Sequence, residues 1–209
     1  MSGAAVDERY DVSRRRLVAT GPVDELPDIP GVAERWGTDV LHCPYCHGWE
    51  VRDRAIGILG DGPLAARQAL RWRRWSGDVT LFRHRAQEPS ADEREELSAR
   101  GIPVVEGVVP RQAVVVAPRV TARTGLIARL GLERVPLEMN GHVVGTARPA
   151  DPTGATAVPG GWVAGNVTDL RAQVVCSAAA GLDTAAMINA DLIAEGTRRA
   201  VDDARRVMA

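Results

Sequence analysis

The sequence predicts an α/β fold built around a parallel sheet, and three observations support this prediction. Strand-like and helix-like segments alternate as β-α-β-α-β between residues 56 and 117, which implies parallel strands joined by right-handed crossovers. A glycine-rich turn at 60–65 joins the first of these strands to its helix. The 209 residues are 45% hydrophobic and 25% charged, so the chain can bury a core.

Each element of the alternating region has its own local signal. The apolar run 56–60 predicts a buried strand, and 63–75 predicts a helix with Pro63 in its first turn, where a missing N–H costs little. Residues 78–83 predict the second strand. A second helix is predicted from the capping-box sequence Ser90 to Glu93, ending near Gly101, and the last two strands are predicted at 102–105 and 113–117.

The flanking regions carry weaker signals. A short buried strand is expected at 18–22, and Pro27 and Pro30 make 23–37 an extended connector rather than a helix. The remaining segments are predicted in chain order as a loop-rich stretch after 120, a strand at 161–165, an alanine-rich helix at 172–195 and a solvated helix end.

Composition argues against several classes of function. The net charge of -1 argues against nucleic acid or an anionic membrane as a partner. All 26 basic residues are arginine, which excludes a Schiff-base lysine and a P-loop. The first 20 residues contain no apolar h-region, and no apolar run approaches the ~18 residues of a membrane span. Three cysteines are too few for a secreted disulfide scaffold, so a soluble cytoplasmic protein is expected.

Cys43 and Cys46 form a C-x-x-C pair. Two thiols at this spacing can close a small disulfide ring and reopen it, with one thiolate attacking and the other resolving. The alternative is a zinc site, for which His42 and His47 would have to supply two of the four ligands from adjacent positions. The redox role is favoured. Because histidine titrates near neutral pH, His47 is an acid/base candidate and Glu50 a weaker one, although His47 could also merely cap or pack.

Gly60, Gly62 and Ala65 form a G-x-G-x-x-A turn between a strand and a helix. Such glycines let the backbone approach a pyrophosphate, whose charge then faces the helix N-terminus. The second strand ends at Arg83 and Arg85, where an acid would suit a ribose 2′-hydroxyl and arginine suits a 2′-phosphate. The pattern therefore favours NADP over NAD, the alternative being that these are ordinary exposed charges.

Two further features are assigned to packing. Trp72 and Trp75 lie among arginines and could suggest a nucleic-acid patch, but on the predicted helix the tryptophans pack and the arginines are solvated. Cys176, inside the alanine-rich helix, is predicted to be a small buried hydrophobic residue.

Four motifs occur in one order: V-A-T-G at 18–21, C-P-Y-C-H-G at 43–48, the glycine turn, and V-P-G-G-W-V-A-G-N at 158–166. In this order they resemble the thioredoxin-reductase-like branch of the FAD-dependent pyridine nucleotide-disulfide oxidoreductases. The histidine at 47 is more similar to the dithiol-oxidase relatives in that branch.

The resemblance implies a Rossmann-like NADP-binding domain, 38–120, inserted in an FAD-binding domain formed by 1–37 and 121–209. It implies that Cys46 faces the flavin and that Cys43 exchanges with substrate. The residues that it assigns to the flavin are Gly165 and Asn166 at the ribityl chain and, through the backbone of a helix N-terminus, Ala172, Gln173 and Val174.

Relatives begin with a β-α-β unit that carries a second glycine fingerprint for the ADP half of FAD. Here 17 residues precede Val18 and contain one glycine, Gly3, whereas such a unit needs ~30 residues. Asn166 also replaces the usual aspartate, although an amide can still hydrogen-bond a hydroxyl. The expectation is therefore an N-terminally truncated chain with an incomplete FAD domain and weak or absent FAD.

The expected function is NADP-linked, flavin-dependent dithiol/disulfide exchange with a small-molecule dithiol or a thioredoxin-like substrate, in a degenerate or still active form. A homodimer is the assembly to test. One alternative is a non-catalytic NADP- or partner-binding module without flavin. A lost upstream segment or a misassigned start is another explanation of the short N-terminus.

Overall fold

A computed structural model describes residues 15–123, 128, 130–139 and 141–208. Its elements, in chain order, are β1 Arg16–Val18, β2 Pro22–Glu25, α1 Val32–Arg35, β3 Val40–Leu41, α2 Pro44–His47, β4 Ile56–Leu59, α3 Ala65–Trp72, β5 Val79–Phe82, α4 Ala91–Ala99, β6 Val104–Val105, β7 Ala113–Val115, β8 Arg119–Ala122, β9 Val135–Met139, β10 His142–Ala147, β11 Gly161–Val163, a 3-10 helix Gly165–Val167 and α5 Val174–Met208.

The chain divides into two compact units. Asp24–Arg119 forms one, called the central unit here, and the residues before and after it form the other, called the flanking unit. The first 17 residues, on which the expected absence of a β-α-β unit depends, lie mostly outside the described residues. The domain boundaries at 37/38 and 120/121 stay a prediction.

The central unit is built on a five-stranded sheet in the order β3-β7-β4-β5-β6, and every pairing in it is parallel. This confirms the predicted α/β alternation. Consecutive residues are buried along its inner strands β4 and β5, as expected of apolar runs in a parallel sheet. Ile58, Trp72 and Leu97 belong to one buried cluster. A second cluster packs α1 against β3 through Val32 and Val40.

Local signals set the helix boundaries in the central unit. The Ser90 hydroxyl accepts a hydrogen bond from the Glu93 backbone N–H at 3.2 Å, and the Glu93 carboxylate accepts from the Ser90 N–H at 2.9 Å. This confirms the predicted capping box. Helix α3 begins at Ala65, two residues later than predicted, because Pro63 and Leu64 form a turn before it. The expected connector 23–37 also contains the end of β2 and the four-residue α1, which begins just after the second proline.

The flanking unit contains two small sheets. Strands β1 and β11 pair in parallel, and a four-stranded sheet has the order β2-β8-β10-β9. The expected strand at 18–22 is displaced: β1 ends at Val18, and Gly21 turns the chain at a φ of 64°. The prediction of a loop-rich stretch after 120 was wrong, because β9 and β10 form an antiparallel hairpin. Gly145 permits this sheet, since a Cβ there would collide with the Val120 carbonyl.

Helix α5 is 35 residues long and extends to Met208, well beyond the predicted end at 195. The arginine-rich tail is exposed helix, as predicted. Among the described residues of α5, Thr184 alone is buried, so most of the helix surface faces away from the core of its unit. None of the described helices is long and apolar enough to cross a membrane.

Candidate functional site

The C-x-x-C pair lies at the start of the four-residue helix α2. Cys43 and Cys46 are joined by a disulfide, with their Cα atoms 5.3 Å apart. Cys43 is in the extended conformation just before the helix, and its carbonyl accepts hydrogen bonds from the N–H groups of Cys46 at 3.3 Å and His47 at 3.1 Å. Pro44 occupies the first helical position, where its fixed φ favours the turn.

Gly48 allows helix α2 to pack closely against the core of the central unit. A Cβ at this position would overlap both the Trp75 indole and the Pro44 carbonyl oxygen. The Gly48 N–H also donates to that carbonyl at 3.1 Å. The disulfide turn therefore rests directly on Trp75, which in turn packs against the main buried cluster.

The outer side of α2 is exposed. Cys46 is exposed, whereas Cys43 is half-buried. Tyr45 is 75% exposed and Trp49 62% exposed, and the Arg52 guanidinium lies 3.8 Å from the centre of the Trp49 ring. As whole residues, Cys46 is thus more exposed than Cys43, whereas the resemblance assigns substrate exchange to Cys43. The two assignments therefore need a direct test.

Two histidines flank the cysteine pair, and sequence reasoning considered His42 only as a zinc ligand. The His42 ring stacks on Trp36, with centroids 5.3 Å apart and planes 16° from parallel. Burial lowers the pKa of His42, and nearby His47 lowers it further, while Asp24 opposes the shift. His42 is therefore held as a neutral ring beside Cys43. Stacking of a histidine on a tryptophan 6 residues away gave no recognisable sequence signal.

Gln68 anchors the segment that leads into the cysteine pair. Its side-chain amide, on α3, donates to the carbonyls of Val116 at 3.2 Å and His42 at 3.5 Å. The helix that follows the glycine turn thus also positions the dithiol segment. Among the described residues, no group of three or more histidine, cysteine or acidic side chains could hold a metal ion.

The glycine turn lies at the end of β4. Gly60 is required by packing, because a Cβ there would lie 2.8 Å from the Phe82 carbonyl oxygen. Its own carbonyl accepts from the N–H groups of Arg85 and Ala86, both at 2.9 Å. Gly62 is different: a Cβ there would have no atom within 4 Å, so the turn has open space at this position, three residues before α3 begins. An open helix start with a bare glycine backbone suits a phosphate group.

The two arginines of the predicted nucleotide site have acidic neighbours. Arg83 forms ion pairs with Glu106 and, at 2.9 Å, with Glu88. Arg85 is mostly exposed and lies 4.0 Å from the Asp61 carboxylate. Exposed pairs of this kind are weak, so a 2′-phosphate could compete for these guanidinium groups.

The residues that the resemblance assigns to the flavin lie in the flanking unit. Asn166 donates from its side-chain amide to the Ala172 carbonyl at 2.6 Å and accepts from the Ser177 hydroxyl at 2.7 Å. Gly165 has a φ of 77°, which favours glycine. The turn that follows β11 and the beginning of α5 are thus held together through Asn166.

The first turn of α5 is open. The helix begins at Val174, which is 88% exposed, directly after Gln173. Cys176 on this turn is exposed, so the prediction of a buried thiol was wrong. The error came from treating the alanine-rich segment as a helix that packs against the core, whereas Thr184 is the one described residue of α5 that is buried.

Solved structures that are similar to this chain include HlmI and a thioredoxin reductase. The chain is 46% identical to HlmI, with a TM-score of 0.81 over 94% of this chain and 65% of that one. It is 27% identical to a thioredoxin reductase from Bacillus anthracis, with a TM-score of 0.73 over 87% of this chain and 65% of that one. This chain has the thioredoxin-reductase-like pyridine nucleotide-disulfide oxidoreductase fold. The likeness confirms the fold that the motifs indicated.

Curated relatives of this thioredoxin-reductase-like chain match it in part. Over 89 residues it is 38% identical to thioredoxin reductase tcpT of Claviceps purpurea, covering 42% of this chain and 24% of that protein. Over 199 residues it is 25% identical to an alkyl hydroperoxide reductase component of Staphylococcus epidermidis, covering 83% of this chain and 38% of that protein. No family model matches the chain. The chain thus spans less than two thirds of these proteins.

Proposed function

We propose that this chain carries the dithiol/disulfide exchange centre of a thioredoxin-reductase-like oxidoreductase. The observation that carries the proposal is the Cys43–Cys46 disulfide at the exposed end of α2. The donor–acceptor chain that we propose is NADPH, FAD and this cysteine pair, which then reduces the disulfide form of its substrate, a small-molecule dithiol or a thioredoxin-like protein. The cytoplasm, where thiols are kept reduced, is the proposed compartment.

The exchange moves two electrons. A thiolate of the substrate attacks one sulfur of the pair, a mixed disulfide forms, and the other cysteine leaves as a thiolate that takes up a proton. The second substrate thiol then attacks the mixed disulfide. The substrate is thereby oxidised to a disulfide and the cysteine pair is reduced to two thiols. With NADPH as the reductant, the net reaction runs in the reverse direction: the reduced pair reduces a substrate disulfide and is itself oxidised, and NADPH would restore its two thiols through FAD.

The side chains around the pair have separate roles in this proposal. His47, the residue after Cys46, takes the proton from the attacking thiol or gives a proton to the leaving thiolate, with Glu50 as the second candidate. The exposed rings of Tyr45 and Trp49 offer an apolar surface beside Cys46 on which a substrate can rest. Following the exchange rate against pH in the unaltered chain and in His47→Ala tests the acid/base role, which unchanged profiles would contradict.

The residues for a flavin fit one end of that cofactor. The open first turn of α5 presents backbone N–H groups, and Asn166 fixes the adjoining turn through Ala172 and Ser177. FAD, when bound, relays two electrons between the nicotinamide and the cysteine pair. For the ADP half the sequence contains no second G-x-G-x-x-G turn. We therefore expect the purified chain to be colourless or weakly loaded with flavin.

NADPH is the proposed reductant because the glycine turn has open space at Gly62, just before α3, and because Arg83 and Arg85 follow the next strand. Charge-assisted hydrogen bonds of about 1.5–3 kcal/mol each would favour NADPH over NADH. Calorimetric titration with both nucleotides checks this, and equal affinities would contradict it.

One observation favours a second candidate, a non-catalytic module that binds a partner without flavin. Apolar side chains on α5 are exposed, Leu182 by 72% and Ile193 by 61%. A helix with such a surface commonly packs against another protein. The redox experiment below separates the two candidates, because a binding module needs no reversible disulfide.

The experiment equilibrates the chain in glutathione buffers of increasing reducing strength and counts alkylated thiols by mass spectrometry. We expect two thiols to appear together, and to disappear together on reoxidation. Cys43→Ser and Cys46→Ser should each abolish this step, whereas Cys176→Ser, which removes an exposed thiol elsewhere, should leave it unchanged. In a Cys176→Ser background, glutathione disulfide is then offered to each reduced single-cysteine variant, and the variant that accumulates the mixed disulfide with glutathione, with release of one glutathione thiol, identifies the exchanging cysteine. Stoichiometric zinc, or thiols that titrate independently, would contradict the proposal.

A further inference from the structure

The flanking unit contains a cavity of about 410 Å³ that the proposed redox chemistry does not use. It lies among the β9–β10 hairpin, the loop that follows β10, the end of β11 and the first half of α5. Its volume is within the range of small-molecule sites, about 300–1,000 Å³. None of the five residues assigned to the flavin lines it. The inference therefore does not rest on the proposed function.

Arg148 is the side chain that makes this cavity unusual. It follows β10, its backbone N–H donates to the Val167 carbonyl at 2.8 Å, and it is only 4% exposed. Its Nε and Nη1 atoms are buried and have no hydrogen-bond partner among the described residues. A buried charge without a partner is costly, and such groups in proteins are normally paired. The structure thus places a cation at the cavity wall that the described part of the chain does not pair.

The charges around Arg148 do not satisfy it. Burial lowers the pKa of Arg148 and the nearby Arg134 lowers it further, while Glu133 acts in the opposite direction. An arginine nevertheless stays protonated in proteins. Asp151 also lines the cavity, but one of its carboxylate oxygens is committed to its own turn, accepting from the N–H groups of Thr153 at 2.8 Å and Ala155 at 3.0 Å.

The rest of the lining defines the ligand. Most of it is apolar and includes Leu137, Ala147 and Val163, which suits a hydrocarbon body. Asp151 and Asp183 add negative charge to the wall, which disfavours a dianion such as phosphate. A single carboxylate matches the planar guanidinium and needs only one compensating charge.

We propose that this cavity is a binding site for a small organic monocarboxylate, whose carboxylate pairs with the buried guanidinium of Arg148 and whose apolar body contacts the β9–β10 hairpin. The ligand supplies a negative charge to the guanidinium of Arg148, of which Nε and Nη1 have no partner among the described residues. The site recognises the anion through a charge-assisted contact with the guanidinium and selects against a second negative charge through Asp151 and Asp183.

Three probes test the proposal by calorimetry and thermal denaturation of the full chain: 3-phenylpropionate, its neutral analogue 3-phenylpropionamide, and inorganic phosphate. We expect 3-phenylpropionate to bind and to raise the unfolding midpoint in a concentration-dependent way. Neither the amide nor phosphate should do so at the same concentrations. An absence of binding by 3-phenylpropionate, or an equal effect of the amide or phosphate, would overturn the proposal.

Two substitutions locate the contact. Arg148→Met removes the charge while keeping the length of the side chain, and should weaken 3-phenylpropionate binding by about ten- to a hundredfold. Without ligand the same variant should unfold at a temperature equal to or above that of the unaltered chain, because it removes an unpaired buried charge. Arg148→Lys keeps the charge but loses the planar fork, and should bind with intermediate affinity.

Arg134→Met is the matched control, since it removes the same charge from an exposed neighbour that does not line the cavity. It should bind the probe within a fewfold of the unaltered chain. Equal binding by the unaltered chain, Arg148→Met and Arg148→Lys would show that the probe binds elsewhere and would overturn the assignment.

Discussion

The two compact units of this chain differ in how completely they cover their apolar surface. In the central unit, α3 packs on the five-stranded sheet and α4 packs on α3, and Trp72 and Leu97 are buried almost completely. In the flanking unit, α5 has 35 residues, and Thr184 is the one residue of this helix that is buried among those the structure describes. The comparison teaches that the sequence pattern of a helix does not by itself reveal whether a helix is covered. Both α4 and α5 carry leucine, but only that of α4 faces a core.

The largest effect expected from this difference is a pair of leucine truncations. Leu97 on α4 is 1% exposed, whereas Leu182 on α5 is 72% exposed. Leu97→Ala should lower the free energy of unfolding by about 2–5 kcal/mol, because it leaves a cavity in the core. Leu182→Ala should change it by less than about 0.5 kcal/mol. Urea denaturation followed by tryptophan fluorescence measures both, and similar losses in the two variants would mean that α5 is covered in solution.

A smaller effect is expected from a pair of glycines in the central unit. Gly48→Ala introduces a Cβ that overlaps Trp75, so it should lower the free energy of unfolding by about 1–3 kcal/mol and shift the disulfide turn. Gly77→Ala is the control, because a Cβ there has no atom within 4 Å and its φ lies outside the left-handed region. Denaturation and the reduction rate of the Cys43–Cys46 disulfide should change in Gly48→Ala alone. Equal behaviour of both variants would contradict the packing of α2 on Trp75.

The smallest effect expected is a pH dependence that differs between the units. Burial lowers the pKa of His42, so the unfolded chain binds a proton more readily than the folded one. Stability contributed by neutral His42 is therefore present above a pH of about 6.5 and is lost as the pH falls below that value. In the flanking unit, hydrogen bonds from Thr153 lower the pKa of Asp151, so its contribution is complete above the ordinary aspartate pKa and is lost as the pH falls from there through the lowered pKa.

Replacing His42 with glutamine should flatten the dependence of stability between pH 7 and pH 5, and Asp151→Asn should leave that window unchanged. Denaturant titrations at unit pH steps measure both. A slope in this window that survives in the His42 variant would assign it to another group.

The sequence predicted the central unit well because its signals are local. Buried parallel strands appear as continuous apolar runs. The capping box, a four-residue motif from Ser90 to Glu93, marks the start of α4 at Ala91. The Cys43–Cys46 pair and the turn at Gly60 were equally visible, because spacing alone brings their residues together.

What the sequence could not predict depends on contacts between distant residues. The β9–β10 hairpin was missed because Pro136 and Gly145 are unfavourable in isolated strands, and its register contains an irregularity between Val143 and Gly145. The stacking of His42 on Trp36 and the burial of Arg148 arise only when separate segments pack. The exposure of Cys176 had no sequence signal, because the burial of a helix depends on what lies against it.

Because Cys176 is exposed, the number of cysteines that a thiol reagent alkylates reports whether the Cys43–Cys46 pair is oxidised or reduced. Cys43 and Cys46 are protected from alkylation while they are joined, so the oxidised chain offers one reactive sulfur. Reduction raises the number to three, which is every cysteine in the sequence. A probe placed on Cys176 therefore leaves the cysteine pair untouched, and a second round of labelling after reduction adds a distinguishable mark at the disulfide alone.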